Sequence, residues 1–415
     1  MQETRAQRVM ARADELAALS EESGAITRPY GTPSLVAAVA AARGWLEAAG
    51  LAVREDAIGN LVGRYEGTGP GTGTGARTLL LGSHLDSVRD AGRYDGPLGV
   101  LVAIAAVEGL QAAGTRLPFA VEVVVFVDEE GLRYHSSYIG SRVVAGLFDP
   151  AELATLDRAG VPLREAVRAQ GGDPDGLVAA RWQRDDLIGY LEVHIEQGPV
   201  LEALDLPVGV VTSIAGQCRG TVTFVGRAGH AGTTPIELRR DALCAAAELV
   251  LAVEAAARSG TGVVATVGMA SVEPGAGNVI PGRVTLSFDI RHTDDTQKAA
   301  AVAALAERAR AIGAERGIEV TWETIQEHAA CPFDERLVAA LGRAVEATGR
   351  GPAHLLPSGA GHDAVSLAHL TGVSMLFVRC AGGVSHHPDE SVTVADVAAA
   401  VEVVEAFLVE LAGEA

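Results

Sequence analysis

Aromatic residues are scarce in this sequence. Phe, Trp and Tyr make up 4% of its 415 residues, so its cores have to be built mainly from Ala, Val and Leu. Cysteine is rarer still. Cys218, Cys244, Cys331 and Cys380 are scattered, with no Cys-x-x-Cys spacing. That pattern argues against a disulfide framework or a thiolate metal site and for a reducing cytoplasm. No apolar run is long enough to span a bilayer; the longest, Leu98 to Val107, stops at Glu108. The first eight residues, Met-Gln-Glu-Thr-Arg-Ala-Gln-Arg, lack a hydrophobic signal core. Basic residues are outnumbered 33 to 53 by acidic ones, for a formal charge of −20. Such a surface repels phosphate backbones, so neither nucleic acid nor a membrane is expected as a partner. The His-Glu-x-x-His helix of one large class of zinc proteases is also missing.

What is present reads as a globular chain, 48% apolar and 21% charged, too long for a single ordinary core. Helical periodicity covers 3–23 and 33–49. Strand and helix patterns then alternate: strands at 51–65 and 77–83, a helix at 98–113, a strand at 120–127. Further strands are expected at Gly189–Ile195 and Ser374–Cys380. This alternation predicts an α/β fold, a mostly parallel sheet flanked by helices. The glycine- and threonine-rich stretch 66–76 reads as a surface loop; it precedes no helix and makes a poor phosphate cradle. Residues 213–227 and 279–291 alternate apolar and polar, as half-buried antiparallel strands do. With helices at 238–258 and 295–316, they predict a smaller α+β, ferredoxin-like domain inserted at 213–327, which divides the larger domain into 1–212 and 328–415.

Nitrogen and oxygen donors recur where apolar runs end. The run Thr78-Leu79-Leu80-Leu81 leads to His84 and Asp86. Strand spacing points both to one face, with His84 able to bind a metal and Asp86 able to orient an imidazole. Asp95 sits beside Gly96 and Pro97 in a tight turn before a helix, where it reads as a ligand or as an N-cap. Glu129 and Glu130 follow the run Val121–Val127. Adjacent carboxylates at a buried strand end repel unless a cation or a proton separates them. They read as one ligand and one general base, or as solvated turn residues; Asp128 reads as a solvated turn residue. His194 shares a strand face with Glu192 and Glu196. His386 lies in a loop straight after a buried strand, with His387 as its rival. Together these donors suit a metal-assisted hydrolase better than a structural role. Zn²⁺, Mn²⁺, Co²⁺ and Ni²⁺ all fit such a donor set.

The stretches GSHLDSVRDAGRYDGPLGVL, VDEEG, GSRVVAG, LEVHIEQGPVLE, GRAGHAGTTP, RRDA, GNVIPG, FDIRH, SGAGHDA and GGVSHHPDE occur in this order. They resemble the M20 family of dinuclear metallohydrolases, and within it the carbamoylase-like amidohydrolases: allantoate amidohydrolase, N-carbamoyl-L-amino acid hydrolase and β-ureidopropionase. The resemblance implies a zinc-exopeptidase-like catalytic domain with an inserted lid and dimerisation domain. It implies two divalent ions per subunit, zinc or manganese first, held by His84, Asp95, Glu130, His194 and His386, with Asp95 bridging. Asp86 then matches the acid that orients His84, and Glu129 the general base. His230, Asn278 and Arg291 match substrate-binding groups of the small domain, with His230 placed to stabilise an oxyanion and Arg291 to fork a carboxylate. Gln197 and the backbone at Gly359 and Ala360, in the loop 358–361, match the substrate pocket. Relatives often carry Ser or Asn where this chain has His387. The expected substrate is a small anionic ureido compound, allantoate first and N-carbamoyl amino acids second, in a cytoplasmic homodimer whose small domain swings closed. A non-catalytic metal-dependent binding protein and a purely structural dimer are the competing readings.

Overall fold

The computed structural model describes residues 4–68 and 77–414. The greater part of the expected 66–76 loop lies outside the described residues. The chain divides into two compact units, Met1–Thr212 with Phe333–Ala415, and Ser213–Pro332.

The first unit is built on one sheet. Its strands run in the order Ala52–Glu55, Leu61–Tyr65, Ala120–Phe126, Thr78–His84, Leu187–Ile195, Val373–Val378 and Val208–Ile214. The strands from Ala120–Phe126 to Val373–Val378 are parallel to one another, and the pairings outside them are antiparallel. Parallel strands are covered on both faces and so need continuous apolar sequence. Thr78–His84, Ala120–Phe126 and Val373–Val378 are accordingly buried at every position. The helix Pro97–Ala112 is apolar almost all round for the same reason. It packs on Thr78–His84 and Leu187–Ile195 and also on the helices Arg5–Ala17 and Val394–Glu414.

The single strand expected at 51–65 is two strands paired antiparallel. The Asp56 carboxylate accepts the N–H groups of Ile58 (3.1 Å) and Asn60 (2.9 Å), closing a turn of the kind short acidic side chains favour.

The second unit has an antiparallel sheet in the order Ala270–Glu273, Arg283–His292, Gly216–Val225, Glu319–His328, with Val264–Thr266 also on Arg283–His292. Strict burial alternation along Gly216–Val225 and Arg283–His292 presents one face to a core shared with residues of the helices Ala242–Ala257 and Asp295–Arg316. This unit begins and ends on neighbouring strands, since Ser213 and Ile214 pair with Pro332 and Cys331. It therefore reaches beyond the expected residue 327. Among the described residues, no helix is long and apolar enough to cross a membrane.

Candidate functional site

The parallel strands all end at one edge of the first unit's sheet, where open α/β sheets place their ligand sites. His84 closes Thr78–His84, Glu129 and Glu130 follow Ala120–Phe126, His194 is next to last in Leu187–Ile195, and His386 lies in the loop after Val373–Val378. Three overlapping groups of donor atoms lie within 4.8 Å of one another: His84, Asp95 and His194; His84, Glu129 and Glu130; Asp95, Glu130 and His386.

Each imidazole is oriented by its neighbours. His84 Nδ1 lies 3.1 Å from the Asp86 carbonyl oxygen. His194 Nδ1 lies 2.9 Å from the Ile195 carbonyl oxygen. A carbonyl accepts only from N–H, so each Nδ1 carries a proton and each Nε2 is turned toward the carboxylates. His194 Nε2 is buried without a hydrogen-bond partner, although Asp95 Oδ1 stands 3.1 Å away. A buried imidazole nitrogen and a buried carboxylate oxygen held this close are donors that one cation can share. The donor set is imidazole nitrogen and carboxylate oxygen, with no thiolate.

Asp95 is central. Oδ1 faces His194, while Oδ2 lies 3.0 Å from His386 Nε2 and accepts from Gln197 Nε2 (3.0 Å) and Ser385 Oγ (2.7 Å). It caps no helix: the residue before Pro97–Ala112 is Gly96, which makes no side-chain cap. Gly96 sits at φ +84°, and a Cβ there would overlap the His84 ring, so the turn requires glycine. Asp86 lies past the end of its strand. Its carboxylate stands 3.5 Å from His84 Nδ1 and accepts the N–H groups of Glu129 (3.1 Å) and Glu130 (3.0 Å). It thus shapes the acidic loop as well as the imidazole. Gln197 and His386 both hold φ +56°, a left-handed backbone uncommon outside glycine and frequent at functional sites.

The electrostatics follow from crowding buried charges. Burial pushes Glu129 well above the usual carboxylate range against the pull of His84, with Glu130 adding to the rise. Burial and the neighbouring Asp95 take Glu130 to about 7. For Asp95, burial pushes upward but is outweighed by His194 and His386, which hold it well below the ordinary value. His386 is raised to about 9, first by its hydrogen bond to Asp95. Buried acids and imidazoles perturbed by named charged partners in one cluster are what a candidate functional site presents.

One reading of the sequence is corrected. Asp128 is no solvated turn residue: it is buried at φ +56°, and neither carboxylate oxygen has a hydrogen-bond partner. The rival His387 belongs to none of the donor groups. It is exposed, and its Nδ1 accepts the Asp389 N–H at 3.2 Å.

The loop 358–361 is braced by Ser358, whose Oγ accepts from Ala360 N–H (3.1 Å) and lies 2.9 Å from His362 Nε2. His362 is buried, with its ring edge-on to His194 at 4.5 Å, so Gly359 and Ala360 belong to a segment anchored beside the donors. In the second unit, His230 pairs with Val279 across a short two-stranded ladder, and the Asn278 carbonyl accepts the Ala231 N–H at 3.0 Å, which sets those two residues side by side. Arg291 forks onto Asp289 of its own strand through Nε (2.9 Å) and a terminal nitrogen (2.8 Å).

Sequence reasoning missed Ser385, Glu390 and His362 as neighbours of the donors. All three fall inside the quoted stretches SGAGHDA and GGVSHHPDE, but their partners lie elsewhere in the chain or along its backbone.

Residues 80–410 match the sequence profile described as peptidase family M20/M25/M40. The chain is 43% identical to an N-carbamoyl-L-amino acid amidohydrolase of Geobacillus stearothermophilus, over 92% of each chain. It is 39% identical to an allantoate deiminase of Arabidopsis thaliana, over 94% of this chain and 79% of that one. Among solved structures, a hydantoinase/carbamoylase family amidase from Burkholderia multivorans superposes with TM-score 0.91 at 35% identity, covering 98% of this chain and 97% of that one.

Proposed function

This chain belongs to peptidase family M20/M25/M40, and from that premise we propose that it is a metal-dependent amidohydrolase that cleaves the ureido C–N bond of a small carboxylate. The observation that carries the reading is the gathering of His84, Asp95, Glu130, His194 and His386 in overlapping donor groups at the strand ends. These five would hold two divalent ions, and Asp95 turns one oxygen to His194 and the other to His386. Such ions lower the pKa of water and polarise a carbonyl.

Urea-type carbonyls are poor electrophiles because two nitrogens feed electrons into them. Attack needs a base near water and an acid near the leaving nitrogen. Glu129 serves as both, taking a proton from water and passing it to nitrogen. Its upward shift makes it a stronger proton acceptor than an ordinary carboxylate. Asp86 keeps the Glu129 backbone and the His84 ring in place. From the family resemblance we assign His230, Asn278 and Arg291 to substrate binding, and likewise Gln197 and the backbone of Gly359 and Ala360. Overall, R–NH–CO–NH₂ and water give R–NH₂, ammonia and carbon dioxide. The enzyme acts as a homodimer.

Allantoate is the substrate we assign first, leaving ureidoglycine. N-carbamoyl-L-amino acids are the second reading, favoured by the 43% identity to the Geobacillus stearothermophilus enzyme. The test is ammonia release from allantoate, N-carbamoyl-L-amino acids and N-carbamoyl-β-alanine, with metal-stripped protein as control. Turnover of none of the three by metal-loaded protein would refute the assignment.

A further inference from the structure

Glu390 is buried, at 3% exposure, in the same loop as His386. Its Oε1 accepts the backbone N–H groups of Tyr94 (2.7 Å) and Asp95 (3.1 Å). Its Oε2 lies 3.3 Å from Ser385 Oγ. That hydroxyl has one proton, and the shorter contact, 2.7 Å, directs it to Asp95 Oδ2. The Glu390 carboxylate therefore ties the backbone of Asp95 to the loop that bears His386, and Ser385 of the same loop ties its side chain. The turn before Asp95 makes room for this: a Cβ at Gly92 would overlap both the carboxyl and the Cβ of Glu390. Without Glu390, two N–H groups that open the turn into helix Pro97–Ala112 lose their acceptor.

We infer that Glu390 is a positioning residue that clamps the Asp95 turn to the His386 loop, holding Asp95 Oδ2 and His386 Nε2, now 3.0 Å apart, together as donors to a cation. The inference rests on the metal reading above. It assigns Glu390 no proton transfer. What matters is where its hydrogen bonds hold the two loops. An amide of the same shape does the same work, because its oxygen accepts from Tyr94 and Asp95 N–H as the carboxylate does.

The test compares Glu390→Ala, Glu390→Gln and Gly92→Ala. Each metal-free protein is titrated with Zn²⁺ or Mn²⁺ in chelator-buffered solution, its urea unfolding is measured, and kcat and KM are determined on the best ureido substrate. Glu390→Ala should weaken binding of at least one ion by about 10- to 100-fold and lower kcat by a similar factor, with KM little changed. Gly92→Ala should do the same with the carboxylate intact, because the methyl group displaces it. Glu390→Gln should restore both metal affinity and kcat. Equal impairment of Glu390→Gln and Glu390→Ala would overturn the inference in favour of proton transfer. Lowered stability of metal-free Glu390→Ala with unchanged metal affinity would overturn it in favour of a purely structural role. A wild-type protein that bound no divalent ion would sink the metal reading and this one with it, whereas unaltered affinity in Glu390→Ala beside a metal-binding wild type sinks this one alone.

Discussion

Gly99→Ala probes how tightly packing and site are joined. Gly99 lies in the first turn of helix Pro97–Ala112, directly after the Asp95 turn. A Cβ there would stand 2.8 Å from Ser83 Cβ and closer still to the Val193 carbonyl oxygen. Ordinary contact starts at 3.4 Å, so Ser83 alone forces a retreat of about 0.6 Å (3.4 less 2.8), and Val193 forces more. Ser83 and Val193 directly precede His84 and His194. The retreat therefore pulls Asp95 away from both imidazoles, and from a His194 Nε2 separation now at 3.1 Å. Overpacking of this kind costs about 1–3 kcal/mol of stability. Misplacement of reacting groups by about 1 Å can cost about 100-fold in rate. Urea unfolding, metal titration and kcat are the assays. The expected outcome is a lower unfolding midpoint together with weaker metal binding and slower turnover. A variant that unfolded at the wild-type midpoint, or that lost stability while metal affinity and kcat held, would refute the argument that this helix contact sets the Asp95 position.

Glu129→Gln keeps shape and backbone hydrogen bonds but removes the base. Turnover should fall by about 10²- to 10⁴-fold, or about 3–5 kcal/mol of barrier, with metal content unchanged by elemental analysis; wild-type turnover would end the base assignment. His386→Ala and His387→Ala separate the neighbouring imidazoles. The first should lose metal and activity together, and the second should keep both; equal losses would contradict the exposed, Asp389-paired placement of His387 as decisive. Arg291→Lys replaces a fork by a point charge. KM for the anionic substrate should rise by about 10-fold or more with a smaller change in kcat, on the scale of a lost charge-assisted hydrogen bond of about 1.5–3 kcal/mol; an unchanged KM would remove Arg291 from substrate binding.

Much of the fold was legible because burial on both faces leaves a plain mark. The runs ending at Leu81 and Val127 are apolar without alternation, as the centre of a parallel sheet requires, whereas residues 213–227 and 279–291 alternate, as one-sided strands do. The donors were legible for the same reason: polar residues that stop such runs sit at strand ends, and parallel strands bring their ends together. What escaped was set by partners that spacing cannot reveal. Asp128 looked solvated because a turn after a strand usually is; here the turn is covered. Glu390 gave no local sign, since its partners are backbone N–H groups 295 and 296 positions away. The turn at Asp56 was hidden inside a seemingly continuous strand because Asp56 and Asn60, and not an apolar break, make it. The spacing predicts Asp86 as an imidazole partner; its second task, accepting two N–H groups of the acidic loop, depends on two chain segments that meet only in the folded protein.

The most direct measurement is X-ray absorption at the metal edge of protein purified with its bound ions, together with elemental analysis. The account predicts two divalent ions per chain, nitrogen and oxygen scatterers with imidazole signatures and no sulfur, and a metal–metal distance of about 3.5–4 Å. A chain that retains no ion, or an ion bound by thiolate, would contradict it.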